Sequence, residues 1–346
     1  MTKEMVMWLK GFAVCLMVIH HSLAAPEMYI NGFSFHDLKP YLEIIARFGG
    51  FAVVPMFAFL TGWTYYKHIY KSYGYSVKKI ITFLFCYWLV LLFCSALAYS
   101  VCDYRFDMKE IGQEMFAISN NIMIFAWYVF LYIEIMIFLP FFESNISNKY
   151  STKSAVEIAV GIILLAKVLS YILRYYGFGD TFVDDALSRY FFRYMPIVLS
   201  GYYSAKYNFI EKLCNRFTVH SNICIVGGVI GVFIFYHFIR GIGGISTGMF
   251  LCPIFIALVM SLKFNMSSFV NRIVVVLGRY SMNIWLLHGI FFAVSTREVF
   301  QKYAFWTNQP VLSVIWIIFI CLCISVPMKK VQNVISKNIS EHFFGF

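Results

Sequence analysis

Apolar residues in this chain neither alternate nor recur every third or fourth position. They come in unbroken runs of about twenty, parted by short polar stretches. At 1.5 Å of rise per residue such a run crosses the roughly 30 Å hydrocarbon layer of a bilayer, so each predicts a spanning helix. Barrel strands would be about ten residues long and alternating, which this pattern excludes. Ten spans are predicted, at about 5–25, 44–66, 77–102, 121–142, 155–173, 188–206, 221–239, 246–263, 272–295 and 310–328. The second, with Arg47 and three glycines, and the ninth, which begins with Arg272 and Arg279, are the least apolar. No soluble domain interrupts the series, the longest connection being Asp103–Asn120. The expectation is an all-α polytopic membrane protein, a bundle of about ten helices forming one membrane-embedded domain over 1–346, with its core at about 5–328.

Composition agrees with that pattern. The 346 residues are 61% hydrophobic and 13% charged, with a mean hydropathy of +0.73. Only a bilayer acts as solvent for so much apolar surface. The net charge of +11 comes from lysines and arginines in short loops, so membrane topology accounts for it and no nucleic-acid partner is expected. With the N-terminus placed inside, 17 of the 28 basic residues fall on cytoplasmic segments and 10 outside, which predicts both termini cytoplasmic. Nine cysteines sit mostly in apolar runs without paired spacing, as small buried hydrophobes rather than a disulfide framework or a metal site. Met5–Ala25 holds a lysine and two histidines and is too long for the apolar core of a cleavable signal, so no leader is expected.

That first run, MVMWLKGFAVCLMVIHHSLAA, is where chemistry enters. Ionisable groups inside a spanning helix are costly and tend to line an interior pathway. Lys10 and His21 are eleven positions apart, roughly 16 Å along a helix. A cation thus lies near one membrane face and an imidazole toward the other. Each also has a plainer reading, Lys10 as a snorkelling helix-end lysine and His20–His21 as hydrogen-bonded interfacial residues. Neighbours on a helix point about 100° apart, so only one of the two histidines faces a given cavity squarely.

WLKGFAVCLMVIHHS resembles the opening motif of the acyltransferase-3 family of membrane acyltransferases, a basic residue, ten residues and a histidine. The spacing maps the pair onto Lys10 and His21, with His20 as neighbour. VVPMFAFLTGW (Val53–Trp63) is similar to the family's second span, with Thr61 where serine is usual. SVKKIITFLFCYW supplies Lys78 and Lys79 where the family enters its third span through basic residues. Trp127–Tyr128 resembles the aromatic pair opening the fourth, FFRYMPIVLSGYY the sixth, and LGRYSMNIWLLH (Leu277–His288) a late serine-to-histidine run. Two departures stand out: Met7 occupies a position that is often acidic, and Ile81 or Thr82 replaces a further arginine. Lysine offers a point charge where arginine offers a bidentate fork, so a phosphate-bearing donor would be held differently.

The resemblance implies acyl transfer, typically of acetyl from acetyl-CoA as co-substrate, to a hydroxyl of a cell-surface polysaccharide, lipopolysaccharide or lipid-linked precursor. It implies a multi-pass protein of the bacterial plasma (inner) membrane with no tightly bound cofactor. His21 is then either the general base or the group that carries the acyl. Lys10, Lys78 and Lys79 face the nucleotide and pyrophosphate of the acyl-CoA, with positive-inside anchoring the alternative for the last two. Glu134 shares a helix face with Trp127 and orients a histidine, pairs with a cation, or is a protonated structural group. Arg193 positions a sugar or an oxyanion, or is an interfacial arginine. Ser281 and His288, seven apart, share a face and belong to the site or to interhelical hydrogen bonding. Tyr29, Phe33, Phe35, Tyr303 and Trp306 stack on sugar rings or form an interfacial belt.

Other classes lack their marks. The glycine-rich run Arg240–Gly248 has no P-loop lysine, and no H-E-x-x-H or comparable metal spacing occurs. An exporter or flippase of polysaccharide or lipid-linked sugar is the alternative, although the halves show no internal repeat. A non-catalytic accessory to a polysaccharide machine is the third reading.

Overall fold

The computed structural model describes residues 1–24, 40–69, 71–119, 121–179, 181–218, 220, 222–239, 248–262 and 268–344. Tyr29, Phe33, Phe35 and most of the Arg240–Gly248 run lie outside them. In chain order the helices are α1 (Lys3–Leu23), α2 (Pro40–Lys67), α3 (Tyr73–Cys102), α4 (Met108–Met115), α5 (Trp127–Phe142), α6 (Thr152–Tyr175), α7 (Phe182–Asp184), α8 (Phe192–Lys206), α9 (Phe209–Phe217), α10 (Asn222–Ile239), α11 (Gly248–Ser261), α12 (Phe269–Arg279), α13 (Ser281–Leu287), α14 (Arg297–Ala304) and α15 (Pro310–Phe344). Wider π turns continue α5 through Glu143–Ser147 and precede α8 over Asp185–Phe191, and a 3₁₀ turn follows α13 over His288–Phe291. No strand occurs among the described residues.

Each of the ten apolar runs forms helix, but among the described residues six helices are long and apolar enough to cross a membrane: α1, α2, α3, α5 with its π turn, α6 and α15. A seventh is the pair α12 and α13, bent by 70° between Arg279 and Ser281. At the remaining three predicted positions stand α8, α10 and α11, whose described apolar stretches are shorter. Side chains such as Leu92, Leu164, Leu165, Ile315 and Phe319 are more than half exposed. In water that would be a liability, whereas on α3, α6 and α15 it is the surface that lipid covers.

The chain divides into two compact units, each assembled from separated stretches. The first comprises Met1–Val6, Val54–Val77 and Leu131–Arg272. Within it α11 packs on α8, α9 and α10, and α6 on α8. The end of α2 meets α8 backbone to backbone: a Cβ on Gly62 would stand 1.9 Å from the Val198 carbonyl oxygen, and one on Gly201 2.1 Å from that of Phe59. Two buried carboxylates here are paired. Asp184, with no exposed surface, accepts from Arg174 at 2.8 Å and 2.9 Å and from Ser170. Glu143 accepts from Lys71 at 3.1 Å and from the Tyr202 hydroxyl at 3.2 Å. Removing one partner of such a pair strands the other charge, which is why both are structural anchors.

The second unit comprises Met7–Val53, Lys78–Phe130 and Ile273–Phe346. Its closest crossing lies beside Lys10. A Cβ on Gly11 would stand 1.9 Å from the Val274 carbonyl oxygen, and one on Gly278 1.7 Å from that of Met7. Helices α1 and α12 therefore touch through backbone, as small residues permit in membrane bundles. Gly49 lets α2 approach α1 in the same way, against the Leu16 carbonyl. A buried amide pair, Asn283 and Gln332, exchanges two hydrogen bonds of 3.0 Å and 2.8 Å, tying α13 to α15. Gln332 also donates to the Cys86 carbonyl of α3.

Candidate active site

His21 lies on the last turn of α1, half-buried. Its Nδ1 is 2.8 Å from Nε2 of His288, whose own Nδ1 is 2.5 Å from the Trp285 carbonyl oxygen. The two imidazoles lie edge to edge within 14° of coplanar. Phe125 covers both like a plate, 3.8 Å from the His21 ring at 8° and 4.6 Å from the His288 ring at 7°. His288 has no exposed surface. It reaches His21 because the bend between α12 and α13 redirects the chain, and because α13 ends at Leu287 and tightens into the 3₁₀ turn that His288 opens. Ser281 and His288, seven apart, keep to one side of this helix, the His288 amide still donating to the Ile284 carbonyl. Ser281 begins α13 and is buried, while His288 lies past its end.

His20 turns the other way. Its Nδ1 donates to the Ala46 carbonyl of α2 at 2.9 Å, and its ring lies against Gly50, where a Cβ would come within 2.5 Å. Of the adjacent histidines, then, one packs onto a helix and the other enters the dyad.

The plate is set by a residue of the long polar connection between the third and fourth apolar runs. Glu114, fully buried at the end of α4, accepts from the backbone amides of Asn121 at 2.7 Å, Ile122 at 2.9 Å and Met123 at 3.3 Å. Burial pushes its carboxyl above the usual carboxylate range, and the three amide donors oppose that shift. The segment held by Glu114 is a turn, α5 begins at Trp127 and not at the predicted 121, and that turn delivers Phe125 onto the histidines. Ser295 pins the same turn by donating to the Asn121 carbonyl at 2.9 Å. Glu114→Ala leaves three amides unsatisfied. It is expected to lower both melting temperature and activity, whereas Glu114→Gln keeps an acceptor and loses less, as thermal unfolding and transfer assays on the two variants will show.

Lys10 lies on the same face of α1 as His21, since eleven residues make three turns to within about 20°. Its ammonium feels the repulsion of Lys79 and of Lys329, and Lys79 also that of Lys78. Neither Lys10 nor Lys329 has an acidic partner among the described residues. Lysines close enough to repel one another are suited to an anionic ligand that relieves the repulsion. Lys329, on α15, stood in the sequence as one of a basic pair marking topology, and only the packing of three helices brings it beside Lys10.

The other predicted residues stand elsewhere. Trp127 opens α5 in the second unit, edge-on to Tyr128, which in turn meets Trp285. Glu134 is farther along α5 in the first unit, with Oε2 buried and unbonded among the described residues, so the group at His21 Nδ1 is a histidine and not this carboxylate. Arg193, on α8, is exposed and lies over the Tyr194 ring at 5.6 Å. Tyr303 and Trp306 are exposed and line, with Leu287, Ile290, Phe291 and Trp316, an apolar cavity of about 420 Å³. All nine thiols are free, and among the described residues no cluster of three ligand-type side chains could hold a metal ion.

The family model described as an acyltransferase domain, that of the acyltransferase-3 family, matches residues 6–330. The chain belongs to that family. No curated protein and no solved structure matches it. As an acyltransferase-3 protein with several membrane-length helices, it is a multi-pass integral membrane acyltransferase. The matched region takes in every residue described above, from the lysine cluster to the histidine dyad.

Proposed function

We propose that this acyltransferase moves an acetyl group from cytoplasmic acetyl-CoA to a sugar hydroxyl of a cell-surface polysaccharide, lipopolysaccharide or lipid-linked precursor. It does so as a single domain over 1–346 in the bacterial plasma membrane, with both termini cytoplasmic. The observation that carries this reading is the division of α1 into a cationic end at Lys10 and a histidine dyad at His21, on one face and roughly 16 Å apart. Lys10, Lys78 and Lys79 take the phosphates of the donor, as point charges and not forks. His21 Nε2 removes the proton of the attacking hydroxyl as the new C–O bond forms. The same proton then passes to the thiolate released when the C–S bond breaks. If His21 instead carries the acyl group, Nε2 attacks the thioester and expels the CoA thiolate; the sugar hydroxyl then takes the acyl group from Nε2, and its proton goes to that thiolate.

His20, Trp127, Ser281 and His288 support this centre, Arg193 meets the sugar, and Glu134 is the second catalytic candidate because its buried Oε2 has no hydrogen-bond partner among the described residues. The wholly apolar cavity flanking His288 suits the lipid portion of a lipid-linked acceptor. Mass spectrometry of the surface glycan from cells with and without the gene tests the reading. The expected result is loss of one acetyl per repeat unit. A glycan that keeps its acetyl groups but no longer reaches the surface would instead establish export.

A further inference from the structure

We propose that His288 is a positioning residue that fixes His21 in the tautomer carrying its hydrogen on Nδ1, leaving Nε2 bare for the acyl-transfer step. The inference rests on His21 being the reactive histidine, as proposed above, and adds how that ring is made ready.

The argument is one of donors and acceptors. A backbone carbonyl only accepts, so the contact between His288 Nδ1 and the Trp285 oxygen requires a hydrogen on that nitrogen. A neutral imidazole carries one N–H, so Nε2 of His288 then holds a lone pair. The 2.8 Å contact from that nitrogen to His21 Nδ1 needs one hydrogen between them, and only His21 can supply it. Neutral His21 therefore has hydrogen on Nδ1 and a lone pair on Nε2, which has no hydrogen-bond partner among the described residues.

The surroundings make this arrangement rigid. Trp285 belongs to the last turn of α13, where helix carbonyls are left for side chains. Phe125 lies flat on both rings, so neither imidazole can flip without unstacking. His20 is not that acceptor, because its ring is turned onto α2 against Gly50 and is tilted 51° to that of His21. When Nε2 takes a proton, Nδ1–H still donates to His288, so the imidazolium keeps its partner throughout. This is the task a carboxylate performs in a serine-protease triad, where disturbing the tautomer costs about 10⁴ in turnover. A neutral histidine performs it here without placing a second charge in the membrane.

The test uses the full-length protein in lipid bilayers with ring-¹⁵N histidine, observed by solid-state NMR at pH 8. The signals lost in His21→Asn identify the ring, and they should show a protonated Nδ1 and a bare Nε2. In His288→Leu the ring should distribute between tautomers. The kcat should fall by roughly 10²–10⁴-fold, while KM for the acyl donor moves less than about threefold. His288→Gln, whose side-chain oxygen accepts near the lost Nε2, should regain at least about tenfold of that kcat. A wild-type spectrum with hydrogen on Nε2 overturns the proposal, as does a His288→Gln variant no better than His288→Leu. The wild-type spectrum needs no activity, so it judges the tautomer separately from the His21→Ala assay, which judges the reading beneath it.

Discussion

Replacing His21 with alanine is expected to abolish acyl transfer, by about 10³-fold or more, while the protein still accumulates in the membrane as a folded species. Loss of general-base catalysis alone accounts for about 10²–10⁴-fold. The structural cost is small by comparison, because His21 is half-buried and its main packing loss is the stack on Phe125, worth about 0.5–1.5 kcal/mol. His21→Asn sharpens the test. Its side-chain amide keeps a donor near the position of Nδ1, so the hydrogen bond to His288 survives while Nε2 is gone. The two variants should be equally inactive in a transfer assay with labelled acyl-CoA, and the asparagine form should melt closer to the wild type. Retained activity in either would remove His21 from the chemistry. A mass increment of one acyl group on the peptide carrying residue 21, trapped without acceptor, would decide for the covalent route.

The second large effect is expected from Gly278. Any Cβ there meets the Met7 carbonyl oxygen at 1.7 Å, and the facing Gly11 has the same problem with Val274. Both obstacles are helix backbone, which cannot rotate aside as a side chain would. Even Gly278→Ala must push α12 away from α1, and Gly278→Leu must separate them further. We expect Gly278→Leu to cost more than about 3 kcal/mol, a strained and opened crossing being among the few mechanisms that reach such values. The readouts are yield of monodisperse protein and melting temperature, with activity falling in parallel because the displaced helix carries both Lys10 and His21. Gly161→Ala on α6 is the control, since nothing lies within 4 Å of its added Cβ and alanine is the better helix former by about 1 kcal/mol. Equal melting temperatures for Gly278→Leu and Gly161→Ala would refute the close crossing.

Several of these features lie beyond one-dimensional pattern for a definite reason. His288 reads as sharing a helix face with Ser281, but nothing local says that this face will meet a histidine 267 positions away. Glu114 reads as loop charge, since nothing local announces that its carboxylate will accept three amides from a turn seven to nine residues on. Phe125 is one of 38 phenylalanines, distinguished only by what lies under it. Apolar content predicts spans at α8, α10 and α11, and by itself it does not separate a crossing helix from a shorter apolar one inside a membrane protein.

The chain by itself determined its solvent, its helical class, its family and the vertical order of Lys10 and His21 along α1. Each of these follows from composition or from spacing within a single helix, where rise per residue converts position into distance. Tertiary structure alone decided which of two adjacent histidines is used, what orients it, and which lysines gather beside Lys10. Those outcomes depend on interactions between residues as far as 267 positions apart in the dyad and farther still in the lysine cluster, made possible by a broken helix and a pair of facing glycines. No local pattern encodes the angle at which two helices meet.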